Sequence, residues 1–175
     1  MGRELIRRFN TTFGSRVFVE FEAHLTQTPK IVGLDGRKMS KSYGNYIALT
    51  DEPDTVVSKV NRMMTDVLRP RREEPGHPET CVLYSYHKLF TPPTRQESIA
   101  TECRSARLAC GDDKKILSEI INEWLEPIRK RRREYQKDPA LVDTVITSGN
   151  HKARELAAKT MAEVRRVVGF WPARQ

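Results

Sequence analysis

After residue 50, apolar side chains recur at every third or fourth position, which is the spacing of one face of an α-helix. The most extended stripe comprises Ile116, Leu117, Ile120, Ile121, Trp124, Leu125 and Ile128. Pro127 lies inside the stripe. It removes one backbone donor, which bends a helix more often than it ends one. We therefore predict that this stripe marks the longest helix and the centre of a helical core.

Turn and cap signals divide the rest of this region into further helices. The first has Asp51 as its N-cap, Pro53 in its first turn and an end before Pro70. The next two are a helix over residues 80–90 that stops at Pro92, and one started by the capping-box spacing of Thr94 and Glu97. The last two are a short helix from Asp138 to Gly149 and a final helix capped by Asn150. With the long stripe, these signals predict a bundle of five or six helices over residues 51–175.

The first fifty residues have a different pattern. The stretch "RELIRRFNTTFG" has helical spacing and stops at Gly14, a residue that commonly ends helices. The stretch "RVFVEFEAHL", residues 16–25, alternates apolar and polar side chains, which is typical of a β-strand. We therefore predict a mainly α protein in which a short α/β segment over residues 1–50 precedes the helical bundle.

Charge narrows the range of partners. Lys and Arg total 31 against 23 Asp and Glu, so the net charge is +8. Such a surplus favours polyanionic partners, although many basic domains bind none. The sequence has no run of eighteen apolar residues, as a membrane span would need, and no apolar segment near Met1, as a signal peptide would need. A myristoylation signal is not expected either, because Ile6 occupies the position that needs Ser or Thr. A cytoplasmic protein without a membrane partner is expected.

The stretch "GRKMSKSYGN", residues 36–45, concentrates the candidate chemistry. It holds Lys38 and Lys41 three positions apart, with Ser40 and Ser42 beside them and a glycine near each end. Lysine is a flexible point charge, and two of them with two hydroxyls can meet several phosphate oxygens at once. Such a loop neutralises the charge that develops on a leaving pyrophosphate. An ordinary polar turn is the alternative interpretation.

"KMSKS", residues 38–42, is also the signature of the class I aminoacyl-tRNA synthetases. The stretch "TPKIVGLDGRKMSKSYGNYIALTDEPDTVVSKVNRMMTD", then "PETCVLYSYHKLF" and "ACGDDKKILSEIINEWLEPIRKRRR", resemble in the same order the C-terminal part of bacterial tryptophanyl-tRNA synthetases. The resemblance extends over about residues 3–169. Tyrosyl-tRNA synthetases, the sister family, are the second choice, because "YHKLF" and "EPIRKRR" favour tryptophan.

This resemblance implies that ATP with Mg²⁺ activates tryptophan to an adenylate and pyrophosphate, and that the tryptophanyl group then passes to tRNA. Carried over residue by residue, Lys38 and Lys41 would contact the triphosphate, and Ser40 and Ser42 would support the phosphates or the loop. The backbone at Met39 would face adenine. The resemblance further implies that residues 1–50 end a Rossmann-like catalytic domain, and that the complete enzyme is a homodimer.

The family places a HIGH-type ATP motif, a parallel sheet and most of the tryptophan pocket before this region. The four histidines, His24, His77, His87 and His151, stand in no such motif. Because positioning supplies a large part of the rate, we predict that this chain alone is inactive and needs an N-terminal catalytic half. The chain as a stand-alone tRNA-binding or regulatory module is the alternative function.

A run of five cations, Arg129, Lys130, Arg131, Arg132 and Arg133, ends the long apolar stripe. In the family the helical domain reads the anticodon, and arginine both pairs with phosphate and stacks on unpaired bases. We therefore expect these residues to bind RNA, together with the arginines near position 70. The alternative is a solvated helix end whose cations complement the helix dipole.

The three cysteines, Cys81, Cys103 and Cys110, are an odd number and predict no disulfide framework. Some bacterial tryptophanyl-tRNA synthetases are similar in holding an iron–sulfur cluster with four cysteines at nearly this spacing. Here Asp113 occupies the fourth place. Because a carboxylate is a poor ligand for such a cluster, we expect no bound metal, and the cluster stays the alternative.

Overall fold

The computed structural model describes residues 1–26, 28 and 30–170, and it is mainly helical, as predicted. The helices of this described part are α1 (Gly2–Thr12), α2 (Pro53–Asn61), α3 (Val82–Phe90), α4 (Pro93–Arg104), α5 (Cys110–Lys137) and α6 (Pro139–Val168). Five of them follow residue 50, which agrees with the predicted number. Gly14 has a φ of +57° just after α1, as expected for a glycine that ends a helix.

The chain divides into two compact units. One comprises Met1–Leu25 and the chain from Tyr135 onward, and the other comprises Thr26–Glu134. The second unit contains helices α2 to α4 and most of α5, together with the KMSKS segment. The domain boundary near residue 50 is inferred from the sequence pattern and stays a prediction.

The core of the second unit is built from α2, α3 and α5. Val56 and Val60 of α2, Leu83 of α3, and Leu117 and Ile121 of α5 are all 2% exposed or less. The stripe predicted for α5 is therefore largely confirmed. Trp124 is the exception, because half of its surface is exposed. Its ring lies edge-on to the ring of Phe90, with 5.4 Å between the ring centroids.

Several predicted helix limits are wrong. The N-cap of helix α2 is Glu52 rather than Asp51, whose carboxylate instead binds Lys59 and the Ala48 amide. Helix α2 ends at Asn61, before Pro70 as predicted. Helix α6 runs continuously through Gly149, so Asn150 caps nothing. A helical glycine costs only about 1 kcal/mol relative to alanine, which the uninterrupted backbone ladder on either side outweighs.

The strand predicted over residues 16–25 is also wrong. The described residues contain no strand, and their single β contact is an isolated antiparallel bridge between Val32 and Lys38. Asn10 instead donates from its amide to the Phe18 carbonyl at 2.7 Å, and the Phe18 ring packs edge-on against Phe9 of α1. A strand needs a neighbour for its backbone groups, and here Phe18 of the segment binds α1 through its carbonyl and its ring.

Tyr86 joins α3 to the segment that precedes the KMSKS signature. Its side chain is 3% exposed, and its hydroxyl donates to the Val32 carbonyl at 2.8 Å. Burial is the main cause that raises the pKa of Tyr86 from 10.0 to about 12. The phenol is therefore a neutral donor in the folded protein throughout the physiological range.

Replacing Tyr86 with Phe should lower the free energy of unfolding by about 1 kcal/mol at pH 7, since the Val32 carbonyl loses its hydrogen-bond donor. Because the folded pKa lies above the unfolded value, the phenol's stabilisation is complete below pH 10 and is lost as pH rises towards about 12. Urea unfolding from pH 7 to 12 should therefore show a smaller alkaline loss in Tyr86→Phe than in wild type. Tyr135→Phe, at an exposed site, is the matched control; equal curves for all three proteins would contradict the role of Tyr86.

Candidate functional site: a lysine loop anchored on the helical core

Residues 33–45, here called the lysine loop, are closed by hydrogen bonds between their own ends. The Gly33 amide donates to the Arg37 carbonyl at 2.7 Å, and the Leu34 amide donates to the Asn45 carbonyl at 2.9 Å. Gly36 and Gly44 have positive φ angles of +78° and +63°, a region that only glycine adopts readily. The loop is therefore a folded unit with two sharp turns.

Polar side chains fill the inside of this loop. The Asn45 amide nitrogen donates to Asp35 Oδ1 at 2.8 Å, and its oxygen accepts from the Ser40 amide at 2.8 Å. Asp35 also accepts from the backbone and side chain of Arg37. The bond from Asn45 and then the contacts from Arg37 lower the pKa of Asp35 from 3.8 to about 2. The carboxylate is therefore ionised at every pH relevant to function.

The base of the loop is attached to the helical core. Leu34 is buried in the core cluster, and Met39 and Ile47 pack against that cluster. The Met64 amide donates to the Leu34 carbonyl at 2.8 Å. Together with the bond from Tyr86 to Val32, these contacts fix the backbone on which the signature is mounted.

The signature side chains themselves face solvent. Lys38, Lys41 and Ser42 are exposed, and the hydroxyls of Ser40 and Ser42 lie 2.9 Å apart. Within the part of the chain that the structure describes, neither lysine forms an ion pair. The structure thus places the two serine hydroxyls in contact and leaves both lysine side chains exposed on the same loop.

Arg129, by contrast, lies inside the protein. It is 3% exposed; its Nε donates to the Asp51 carbonyl at 2.9 Å, and its Nη2 donates to Asn122 Oδ1 at 2.7 Å. It therefore ties α5 to the chain that leaves the lysine loop. The sequence carried a signal for this, since Arg129 follows Ile121 and Leu125 by eight and four positions and so shares their face of the helix.

The remaining cations of the run, Lys130, Arg131, Arg132 and Arg133, are exposed. Arg133 pairs with Glu126 at 2.5 Å, which lowers the pKa of that carboxyl. Arg69 resembles Arg129, because it is 8% exposed and donates to the Leu108 carbonyl. The cationic surface at this helix end therefore centres on residues 130–132.

The three cysteines and Asp113 are the residues considered as ligands of a metal cluster. Burial raises the pKa of the Cys81 thiol, and burial raises that of Cys103 to about 11, so both thiols are neutral at pH 7. The Asp113 carboxylate lies 3.0 Å from Nε2 of the fully buried His87, although these two atoms are not aligned as a hydrogen bond. No three His, Cys, Asp or Glu side chains in the described ranges are grouped to hold a metal ion. With three thiols and one carboxylate, the four residues offer one thiolate fewer than the four that normally hold an iron–sulfur cluster.

Comparison with known proteins identifies the family. The family model described as "tRNA synthetases class I (W and Y)" matches residues 1–126, most of the chain. The chain belongs to this family. A tryptophan–tRNA ligase of Aquifex aeolicus is 47% identical over 171 residues, and one of Thermotoga maritima is 46% identical over 169 residues. The alignments include 97% and 96% of this chain, but only 43% and 51% of the two ligases.

Solved class I synthetases share the fold. The tryptophanyl-tRNA synthetase of Campylobacter jejuni, crystallised with ADP and tryptophan, superimposes with a TM-score of 0.77 at 26% identity. The match covers 96% of this chain and 52% of that one, so the chain spans about half the length of these relatives. Across the described residues, no helix is both long and apolar enough to cross a membrane.

Replacing the buried arginine of α5 should lower the free energy of unfolding more than replacing an exposed one. Arg129→Ala leaves the Asp51 carbonyl and Asn122 without their buried donor, so the free energy of unfolding should fall by about 2–3 kcal/mol. Arg131→Ala removes the same charge from an exposed position and should change it by less than about 0.5 kcal/mol. Urea unfolding of both variants tests this, and equal effects would show that Arg129 is no more structural than its neighbour.

Proposed function

We propose that this chain supplies the pyrophosphate-stabilising loop and the tRNA-binding helices of a tryptophan–tRNA ligase. The observation that carries the proposal is a pair of exposed lysines that form no ion pair with any described residue, on a loop that is itself anchored to a buried core. The identity of 46–47% to two tryptophan–tRNA ligases supports tryptophan over tyrosine as the amino acid.

In the proposed reaction, a tryptophan carboxylate oxygen bonds to the α-phosphorus of ATP, which enters with Mg²⁺. The bond between that phosphorus and the bridging oxygen breaks, and pyrophosphate leaves with the electron pair. Lys41, and Lys38 with it, neutralises the charge gained by the pyrophosphate. Ser40 and Ser42 donate to phosphate oxygens, and the backbone at Met39 lies along adenine.

The remaining parts of this enzyme lie in the half of the relatives that the chain does not match. We infer that an N-terminal catalytic half supplies the HIGH-type motif, the tryptophan pocket and the rest of a Rossmann-like domain, and that the complete enzyme is a homodimer. The lysine loop without that half cannot hold tryptophan and ATP in line. The chain alone is therefore expected to be inactive.

Tryptophan-dependent exchange of pyrophosphate into ATP tests the proposal. The chain alone should show no exchange, whereas the chain combined with the unmatched part of the Aquifex aeolicus ligase should show it. Lys41→Ala in the combined protein should lower the exchange rate about 100-fold, the usual effect of removing a group that stabilises transition-state charge. Lys30→Ala, at another exposed lysine, is the control. Exchange by the chain alone, no exchange by the combined protein, or equal rates for the two variants would each contradict the proposal.

We further propose that residues 130–132 contact the phosphates of tRNA. Their exposure supports this, as does the surplus of positive charge on the chain. Arg129 does not belong to this surface, because its guanidinium is occupied by Asp51 and Asn122. A stand-alone tRNA-binding module is the second candidate function, and it would bind RNA without contributing to exchange.

The double variant Arg131→Ala/Arg132→Ala should weaken binding to tRNA and flatten its salt dependence. Each phosphate contact that is lost lowers the slope of log K against log salt by roughly 0.7–0.9, so the change should be about 1.5. Filter binding at several salt concentrations measures the slope. The matched control, Lys152→Ala/Lys159→Ala, removes two exposed charges from α6. Indistinguishable slopes for the two double variants would contradict the assignment of this surface.

A further inference from the structure

Asn45 is the last residue of the lysine loop, and its side chain has no role in the proposal above. It is 5% exposed, and its amide makes three hydrogen bonds. Oδ1 accepts from the Ser40 amide at 2.8 Å, while Nδ2 donates to Asp35 Oδ1 at 2.8 Å and to the Lys38 carbonyl at 3.2 Å. One side chain therefore holds the backbone on both sides of Met39, inside the KMSKS signature.

The orientation of this amide is fixed by the charges around it. Asp35 is an ionised acceptor and the Lys38 carbonyl is another, so both must face the amide nitrogen. The Ser40 amide is a donor and must face the amide oxygen. The exchanged orientation would place an oxygen against two acceptors, so a single arrangement satisfies all three partners.

Close packing prevents the amide from moving. A Cβ atom on Gly33 would lie 2.1 Å from Asn45 Nδ2, so no other residue fits at position 33 without displacing the amide. The Asn45 carbonyl also accepts from the Leu34 amide, and Leu34 belongs to the buried core. Asn45 thus connects the signature backbone to the rigid base of the loop.

We propose that Asn45 is a positioning residue for pyrophosphate departure. It acts through the backbone of residues 38–40, and thereby sets the direction in which the ammonium groups of Lys38 and Lys41 project. This inference rests on the proposed function of the two lysines. A charge that stabilises a transition state is effective only when it is held in place beforehand, so loosening this backbone lowers the rate even though Asn45 touches no substrate.

Two variants separate hydrogen bonding from the filling of space. Asn45→Ala removes all three bonds. Asn45→Asp keeps the volume and the acceptor for Ser40, but it places an oxygen against Asp35 and the Lys38 carbonyl. In the combined protein, both should lower kcat for exchange tenfold or more, with the KM for tryptophan unchanged. The variant Ile99→Ala, which destabilises the fold at a buried position of α4 outside the cluster that holds Leu34, should keep the wild-type kcat.

A double-mutant cycle with the variant Lys38→Ala/Lys41→Ala identifies the route of the effect. If Asn45 acts through the two lysines, then Asn45→Ala should change kcat less than threefold when both are already absent. A full tenfold loss in that background, or a wild-type kcat in both Asn45 variants, would overturn the inference. If Lys41→Ala did not change kcat, the proposed function itself would be contradicted. If Lys41→Ala lowered kcat but both Asn45 variants kept the wild-type kcat, only the role of Asn45 would be overturned.

The geometry can also be measured on the 175-residue chain alone, without any activity. Because the Ser40 amide donates to Asn45 Oδ1, its hydrogen should exchange with solvent at least tenfold more slowly in wild type than in Asn45→Ala. The Lys41 amide serves as the internal reference. Equal exchange at Ser40 in the two proteins would show that the bond does not hold the loop, and would overturn the positioning role.

Discussion

The constraint on which this structure depends is the need to satisfy the backbone polar groups of a loop that is partly buried. Residues 32–45 form no sheet, so their amides and carbonyls cannot pair along a ladder. They find partners one at a time: Tyr86 for the Val32 carbonyl, Met64 for the Leu34 carbonyl, and the Asn45 side chain within the loop. Each partner is buried or attached to the core, so the fold of the helices determines the path of the loop.

Helix α5 connects the chemistry of the loop to the rest of its unit. Its apolar face supplies Leu117 and Ile121 to the core, and directly after the last residue of that stripe the Arg129 guanidinium binds the Asp51 carbonyl. Asp51 in turn binds the Ala48 amide and pairs with Lys59 at the exit of the loop. The cations that follow Arg129 on the same helix are exposed. A single helix therefore carries the packing, the attachment of the loop exit and the candidate RNA surface.

The sequence predicted those features that depend on local chemistry. Periodicity located the helices after residue 50, and the KMSKS string located the exposed lysines, because both signals lie in neighbouring positions. Composition did not distinguish the buried Arg129 from the exposed Arg131, since it treats all members of a cationic run alike. Only the helical spacing of Arg129 from Ile121 and Leu125 carried that information. Nor could the sequence predict that residues 16–25 lack a strand, because a strand is stabilised by a partner that the pattern of one segment does not show. The contacts of Asn45 depend on three-dimensional closure of the loop and have no sequence signal beyond their proximity.

The lysine loop also shows why its two signature cations are lysines. Arg37, in the same loop, forms two contacts with the Asp35 carboxylate, and its guanidinium lies 4.7 Å from the centre of the Tyr43 ring. A planar fork of donors finds partners of this kind readily. An ammonium group on a flexible stem competes less well for a bidentate partner and stays hydrated. The two kinds of cation therefore differ in their surroundings, because the arginine is bound within the loop while the lysines remain exposed.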